Sequence, residues 1–275
     1  MLDNPRSTRI KKVAALGGRS ARKKTGRILV DGPGAVRELV QFRADTVEDI
    51  YFTEDAAARH PELYEASLLE VRHVHLVSDQ VAQKIGVESQ GVVAVASADA
   101  IGSGGLSLAD QAGAVASDGG FVVVLPETQD PGNLGTIIRT ADAMGAAAVL
   151  LGRGTCEVGN PKVIRSSAGS VFHLPVFDEG FEDASGVLKE AGIQLLGTAL
   201  DATSEALPAL ICSGALKAPH AWVFGNEARG LSDLEREACT ALVHIPMAGS
   251  AESLNVAASA AMCLFASSYA RDREA

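Results

Sequence analysis

The sequence lacks the features that would fix its class at once. Its 275 residues hold only four cysteines, Cys156, Cys212, Cys239 and Cys263, and no two stand in CxxC spacing. Each lies among small or apolar neighbours, so buried free thiols are expected rather than disulfides, a metal site or a nucleophile. No run approaches the roughly 18 to 20 apolar residues of a membrane span, and the first residues lack the apolar core of a signal peptide. A soluble, cytoplasmic protein is the expectation. The GK[ST] ending of a P-loop and a full GxGxxG are both missing, which leaves nucleotide triphosphatases and dinucleotide enzymes without support. No internal repeat of useful length is present.

What is there begins with charge. The net charge is -10, which by itself argues against a nucleic-acid partner. Residues 1–27, however, carry nine basic side chains (Arg6, Arg9, Lys11, Lys12, Arg19, Arg22, Lys23, Lys24, Arg27) against Asp3 alone, a local balance of +8 that leaves -18 for the remainder. A basic arm on an acidic body suggests contact with a phosphate backbone; the plain alternative is a solvated terminus. Arm residues 1–27 are followed by an expected small α/β domain over 28–98, with a strand from Ile28, a turn at Asp31–Gly34, a helix carrying Val36, Leu39 and Val40, and strands at Ile50–Phe52, VRHVHLV and QGVVAVAS. A polar helix is expected near Glu54–Ala66. His73 and His75 share one strand face, so a metal pair is conceivable, but no third ligand accompanies them and half-exposed strand histidines are the simpler reading. Residues 99–118, rich in Gly, Ser, Ala and Asp, read as a flexible linker with room for a turn of helix.

The second domain, 119–275, opens with FVVVL, whose lack of alternation predicts a strand buried on both faces of a parallel sheet. The strand runs into a polar loop, Glu127–Asn133, and a helix burying Leu134, Ile137, Ile138 and Ala141. Asn133 and Arg139, six residues apart, would point in different directions on one regular helix; they could still converge if Asn133 belongs to the loop and Arg139 to the helix face that looks over the strand ends. Asn160–Ser167 reads as a helix with Lys162 and Arg165 exposed. Polar loops also follow the strand ends at Phe224 and Ile245, and the last leads to an Ala-rich helix expected to open with Ser253 and Asn255. Three such loops can gather on the carboxyl edge of a parallel sheet, where ligands bind. Ser253, Asn255 and Asn133 could equally be helix caps, and Glu227 a surface acid.

Three stretches, PGNLGTIIRTADAMG, VFGNEARGLS and IPMAGSAESLNVAASAA, in this order and at these separations, resemble the signature motifs of the SpoU-type (TrmH) branch of the SPOUT RNA 2'-O-ribose methyltransferases. The resemblance covers roughly residues 121–270, and RSSAGSVFHLPV fits it too. The first domain resembles more loosely the small substrate-binding domain of many members, which is similar to RNA-binding ribosomal-protein domains. It departs in Asp31, where Glu is usual, and Ser89, where Pro is common.

The resemblance implies an α/β domain threaded as a deep trefoil knot, a rare exception to unthreaded connections. It further implies S-adenosylmethionine as cofactor, held by Thr198, Ala199, Leu200, Gly225, Asn226, Ile245, Met247, Ser253, Leu254 and Asn255, with no metal, and catalysis across a homodimer. Arg139 would be the central catalytic residue, ordered with the ribose and cofactor loops by Asn133, Glu227, Ser253 and Asn255. Because a guanidinium stays protonated, a phosphate clamp that stabilises developing alkoxide charge is the role expected of Arg139, with a perturbed base as the alternative. Arg9, Lys11, Lys12, Arg22, Lys23, Lys24 and Arg165 are the expected RNA contacts. The favoured substrate is 23S ribosomal RNA, in some relatives a route to antibiotic resistance. Transfer RNA, a non-catalytic RNA-binding or ribosome-assembly role, and a small-molecule or protein methyltransferase are the alternatives.

Overall fold

The computed structural model describes residues 1–86 and 89–272; positions 87, 88 and 273–275 of the two expected domains lie outside the described residues. The chain divides into two compact units, Met1–Ile101 with Glu157–His173, and Gly102–Cys156 with Leu174–Ala275.

The first unit is built on a four-stranded sheet, β1 (Arg27–Asp31), β2 (Val47–Thr53), β3 (Val74–Val77) and β4 (Val92–Ser97), in the order β1-β4-β2-β3. β4 is antiparallel to both its neighbours, while β2 and β3 run parallel. The basic segment is not a free arm. It forms α1 (Thr8–Ala15) and α2 (Arg19–Thr25). Ser7 caps α1 by accepting the Ile10 amide, and Ile10, Val13 and Leu16 are buried in one apolar cluster with Tyr51, Val77 and Val81. Spacing of three residues puts all three on one helix face, and that burial holds the segment against the sheet. α3 (Pro33–Arg43) follows, then α4 (Glu54–Arg59) and α5 (Pro61–Glu70), and α6 (Asp79–Ile85). The single helix expected near Glu54–Ala66 is two, because Pro61 opens a new helix at its first position.

The second unit contains α7 (Leu108–Asp118), β5 (Phe121–Leu125), α8 (Pro131–Ala143) and β6 (Val149–Leu151). α9 (Pro161–Ser166) belongs to the first unit, where it packs on β1. The second unit resumes with β7 (Val176–Asp178), α10 (Phe181–Glu190), β8 (Gln194–Thr198), β9 (Glu205–Ala206), α11 (Leu207–Ser213), β10 (His220–Val223), α12 (Asp233–Ala238), β11 (Ala241–His244) and α13 (Val256–Asp272). Its sheet runs β7-β6-β5-β10-β8-β11-β9, with every described pair parallel. β5, β6 and β10 are buried along their whole length, as the unalternating apolar run predicts for a sheet covered on both faces. Val122, Val124, Ala221 and Val223 face Leu108, Ala112, Val115 and Leu188 of α7 and α10. The opposite face meets α13, where Ser267 accepts a hydrogen bond from the Trp222 indole at 2.8 Å and pairs with His220 Nε2 at 2.7 Å.

Two further expectations are corrected here. The stretch 99–118 is no open linker over its second half, since α7 is capped by Ser107 and buries Leu108, Ala112 and Val115. The thiols are not uniformly buried: Cys263 is, but Cys212 is exposed and Cys156 and Cys239 lie between.

Candidate active site

Four adjacent parallel strands, β5, β10, β8 and β11, end on the same edge of the second unit's sheet. The loops leaving them bound a cavity of about 580 Å³. Asn133, Glu227, Ser253 and Asn255 line it, and so do Thr198, Ala199, Leu200, Gly225, Asn226, Ile245, Met247 and Leu254. The residues named from the sequence for cofactor and catalysis thus come together, with Arg139 as the exception.

Each loop has a local reason for its shape. After β5, Asp130 caps α8 by accepting the Asn133 amide at 2.8 Å, and Pro131 occupies the first helical position. Asn133 therefore sits in the first helical turn, not in the loop. After β10, Asn226 and Gly230 exchange backbone hydrogen bonds of 3.1 and 2.8 Å, while Asn226 Oδ1 accepts the Ala228 and Arg229 amides at 2.9 and 3.3 Å. Gly225 is forced by contact, since a Cβ there would meet the Gly230 carbonyl carbon at 2.4 Å. After β11, the helix begins at Val256, three residues after the Ser253 expected to open it. Asn255 Oδ1 accepts the Ala257 and Ala258 amides at 2.9 and 3.3 Å. The cap reading of Asn255 is correct for its oxygen, and its amide nitrogen is left to turn into the cavity.

A chain of side-chain hydrogen bonds connects the three motifs. Asn255 Nδ2 donates to Asn133 Oδ1 at 3.1 Å, and Asn133 Nδ2 donates to Glu227 Oε1 at 3.2 Å. Asn226 Nδ2 donates to the Glu127 carbonyl at 3.2 Å, binding the loop after β10 to the loop after β5. Arg139 lies elsewhere. It is exposed on α8 and outside the cavity lining, with no hydrogen bond or ion pair among the described residues. With Asn133 inside the helix, the six-residue offset leaves the two side chains about 120° apart, so the condition for their convergence within one chain fails.

The cavity also holds residues that the sequence reading missed, including Leu231, Arg236, Val243, His244, Val256 and Ser259. Arg236 pairs with Asp201, and the hydroxyl of Ser204 lies 2.9 Å from His244 Nδ1, so both tether the loop after β8. Hydrogen bonds from the Thr203 side chain and amide, followed by that from Arg236, pull the half-buried Asp201 carboxyl down to about 2. A histidine ending the strand just before Ile245 was a usable signal; the Arg236–Asp201 pair, 35 residues apart, was not.

The expected RNA contacts in the first unit separate into two groups. Lys11, Lys12, Lys23 and Lys24 are exposed on α1 and α2. Arg22, by contrast, is buried: its guanidinium holds Glu157 at 2.7 and 2.9 Å and donates to the Leu16 and Gly17 carbonyls at 2.9 Å. A side chain with these partners is an internal anchor, and the expectation that it meets RNA is corrected. Arg9 donates to Asp49 at 2.6 Å and lies over the Tyr51 ring, and Arg165 pairs with the buried Asp31 at 3.3 Å. His75 Nε2 lies 2.8 Å from Asp49 and His73 Nδ1 3.2 Å from the Glu48 carbonyl, so both rings have protein partners.

Comparison with known proteins gives the family of the chain. Residues 120–265 match the SpoU rRNA Methylase family, and residues 7–94 match the MRM3-like substrate binding domain. The 23S rRNA (guanosine(2553)-2'-O)-methyltransferase RlmP of Bacillus subtilis is 40% identical over 146 residues, 52% of this chain and 56% of that protein. The chain thus spans about half the length of that relative. The 23S rRNA (guanosine-2'-O-)-methyltransferase RlmB of Ralstonia nicotianae is 32% identical over 241 residues, covering 86% of this chain and 93% of its own. Among solved structures, the AdoMet-bound rRNA methyltransferase from Sinorhizobium meliloti superposes with a TM-score of 0.81 at 27% identity, over 97% of this chain and 96% of that one. The chain belongs to the SpoU rRNA Methylase family.

Proposed function

We propose that the chain is an S-adenosylmethionine-dependent RNA 2'-O-ribose methyltransferase that acts as a cytoplasmic homodimer on 23S ribosomal RNA. The observation that carries this reading is the hydrogen-bonded series Asn255–Asn133–Glu227, which joins one residue from each of the three motifs inside one cavity. The substrate class follows the printed activities of the relatives.

The cavity suits the cofactor. Its volume of about 580 Å³ lies in the range of small-molecule sites. Leu200, Leu231, Val243, Ile245, Met247 and Leu254 give it apolar walls for a purine, and the loops offer backbone donors and acceptors. S-adenosylmethionine supplies a methyl group already activated on a positively charged sulfur. The protein's part is to orient and to stabilise charge. Asn133 fixes Glu227 and Asn255 relative to each other, and Glu227 and Ser253 orient the ribose. Arg139 clamps the neighbouring phosphate with its fork and stabilises the alkoxide that develops at the 2'-oxygen as the hydroxyl gives up its proton to solvent water.

Arg139 does not line the cavity of its own chain, which supports a site completed by a second copy. The surface beside it fits that use. α13 packs along α8 and exposes Met262, Phe265 and Tyr269, with the last two rings 6.0 Å apart, an apolar stripe at helical spacing. The exposed lysines of α1 and α2 provide a cationic surface for the RNA backbone. The deep trefoil knot is included in this reading on the family membership alone. No helix of the described residues is long and apolar enough to cross a membrane. Calorimetric titration with S-adenosylmethionine tests the cofactor assignment: saturable binding is expected, and none at millimolar ligand would favour an RNA-binding role without catalysis.

A further inference from the structure

We propose that Arg229 is a positioning residue for the methyl transfer, setting the place of Glu227 against Asn133 from behind the cavity; the proposal rests on the activity proposed above. Arg229 follows Glu227 by two residues in the loop after β10, yet it does not line the cavity that its neighbours Glu227, Ala228 and Gly230 line. Its guanidinium turns the other way and is gripped by two carboxylates. Nη2 donates to Glu127 Oε2 at 2.7 Å and to Glu235 Oε1 at 3.3 Å, and Nη1 donates to Glu235 Oε2 at 3.2 Å and to the Gly230 carbonyl at 3.3 Å.

Both partners are themselves fixed. The Glu235 side chain is 8% exposed and accepts the Ser232 amide at 2.6 Å, completing the capping box of α12. Glu127 leaves the end of β5, and its side chain lies where a Cβ on Gly154 would come within 2.4 Å of its Cγ. Arg229 therefore joins the base of the loop that leads to Asn133, the loop that carries Glu227, and the start of α12. The Asn226–Glu127 bond is a second tie between the first two, but it reaches a carbonyl and carries no charge. Removing the guanidinium leaves two carboxylates facing each other, one of them buried, and their repulsion acts on the segment that sets the 3.2 Å contact between Asn133 and Glu227. Charge-assisted, forked hydrogen bonds hold geometry where one neutral bond does not.

The test is single-turnover methylation of total RNA by wild type, Arg229→Gln, Arg229→Lys, Glu127→Gln, Glu227→Gln and the double variant Arg229→Gln/Glu227→Gln, with KM for S-adenosylmethionine measured in parallel. Arg229→Gln is expected to lower kcat roughly ten- to hundredfold, with KM changed less than about threefold. Arg229→Lys should recover part of the loss by keeping the Glu127 pair, and Glu127→Gln, a milder change on a partly exposed side chain, should lower kcat in the same direction. Once Glu227 is already Gln, adding Arg229→Gln should cost little more. A kcat within twofold of wild type in Arg229→Gln and Glu127→Gln, or fully multiplicative losses in the double variant, would overturn the proposal. If Arg229→Gln fails to fold, Glu127→Gln and Arg229→Lys decide by the same criteria. Absence of transfer by the wild-type chain overturns the activity and the Arg229 role with it, whereas transfer that the Arg229 and Glu127 variants leave intact overturns the Arg229 role alone.

Discussion

Asn133 donates its side-chain amide to Glu227 across 3.2 Å, although 94 residues separate them in sequence. The same Asn133 accepts from Asn255 at 3.1 Å, so a single amide satisfies one donor and one acceptor from two other motifs. An ionised carboxylate cannot do both. Asn133→Asp turns the contact with Glu227 into carboxylate against carboxylate, and single-turnover methylation should fall at least about tenfold. Asn133→Ala should fall less, because it leaves the partners unpaired without repelling them. Equal rates for the two variants would contradict this ordering.

Arg139 is expected to act in the cavity of a second copy. Arg139→Ala and Asn255→Ala should each be nearly inactive alone. Mixed and allowed to exchange subunits, they should regain roughly a quarter of wild-type activity, since half the dimers then hold one intact site of two. No recovery on mixing would place Arg139 with its own chain's cavity. Arg139→Lys keeps the charge but loses the fork, so near-normal turnover by that variant would sink the clamp role.

The basic segment should respond in two distinct ways. Arg22→Ala breaks a pair in which the Arg22 side chain is only 4% exposed, so a loss of about 3 kcal/mol of stability is expected in urea denaturation. Lys23→Ala and Lys24→Ala, both exposed, should leave stability within about 0.5 kcal/mol while weakening RNA binding and reducing its salt slope by about one each. A flat salt response would exclude these lysines from the RNA contact.

Burial pushes the His220 imidazole down to about 4, with a smaller contribution from Arg271. In the unfolded chain it titrates near 6.5, so between those values the unfolded state binds more protons. The stability contribution is intact above about pH 6.5 and lost as pH falls towards 4, on the order of 2 kcal/mol between pH 7 and 5. His220→Gln should flatten that part of the urea-midpoint profile, and an unchanged profile would remove His220 as its source.

Much of this was legible in the sequence because it is local. FVVVL announces a strand buried on both faces, and the Gly- and Asn-bearing loops after Leu125, Phe224 and Ile245 sit where strand ends demand them. The cavity residues were available through the family resemblance, since nothing local joins Thr198 to Asn255. What stayed hidden depends on pairing across distance. Arg22 reads as one more charge in a basic run until Glu157 arrives 135 residues later to bury it. The segment of α1 reads as a basic arm because its charges outnumber Ile10, Val13 and Leu16, three apolar residues on one face that suffice once a sheet is there to receive them. Asn133 was misplaced in the loop because the true cap, Asp130, stands three residues earlier.

The most direct test of the account is to map 2'-O-methylated nucleotides in total RNA from cells with and without this gene, and to repeat the mapping after adding the purified chain and S-adenosylmethionine to the RNA from the deletion. The account predicts one or a few 23S ribosomal RNA positions that lose ribose methylation in the deletion and regain it only when the cofactor is present. An unchanged map, or restored modification on a base atom instead of the 2'-oxygen, would contradict it.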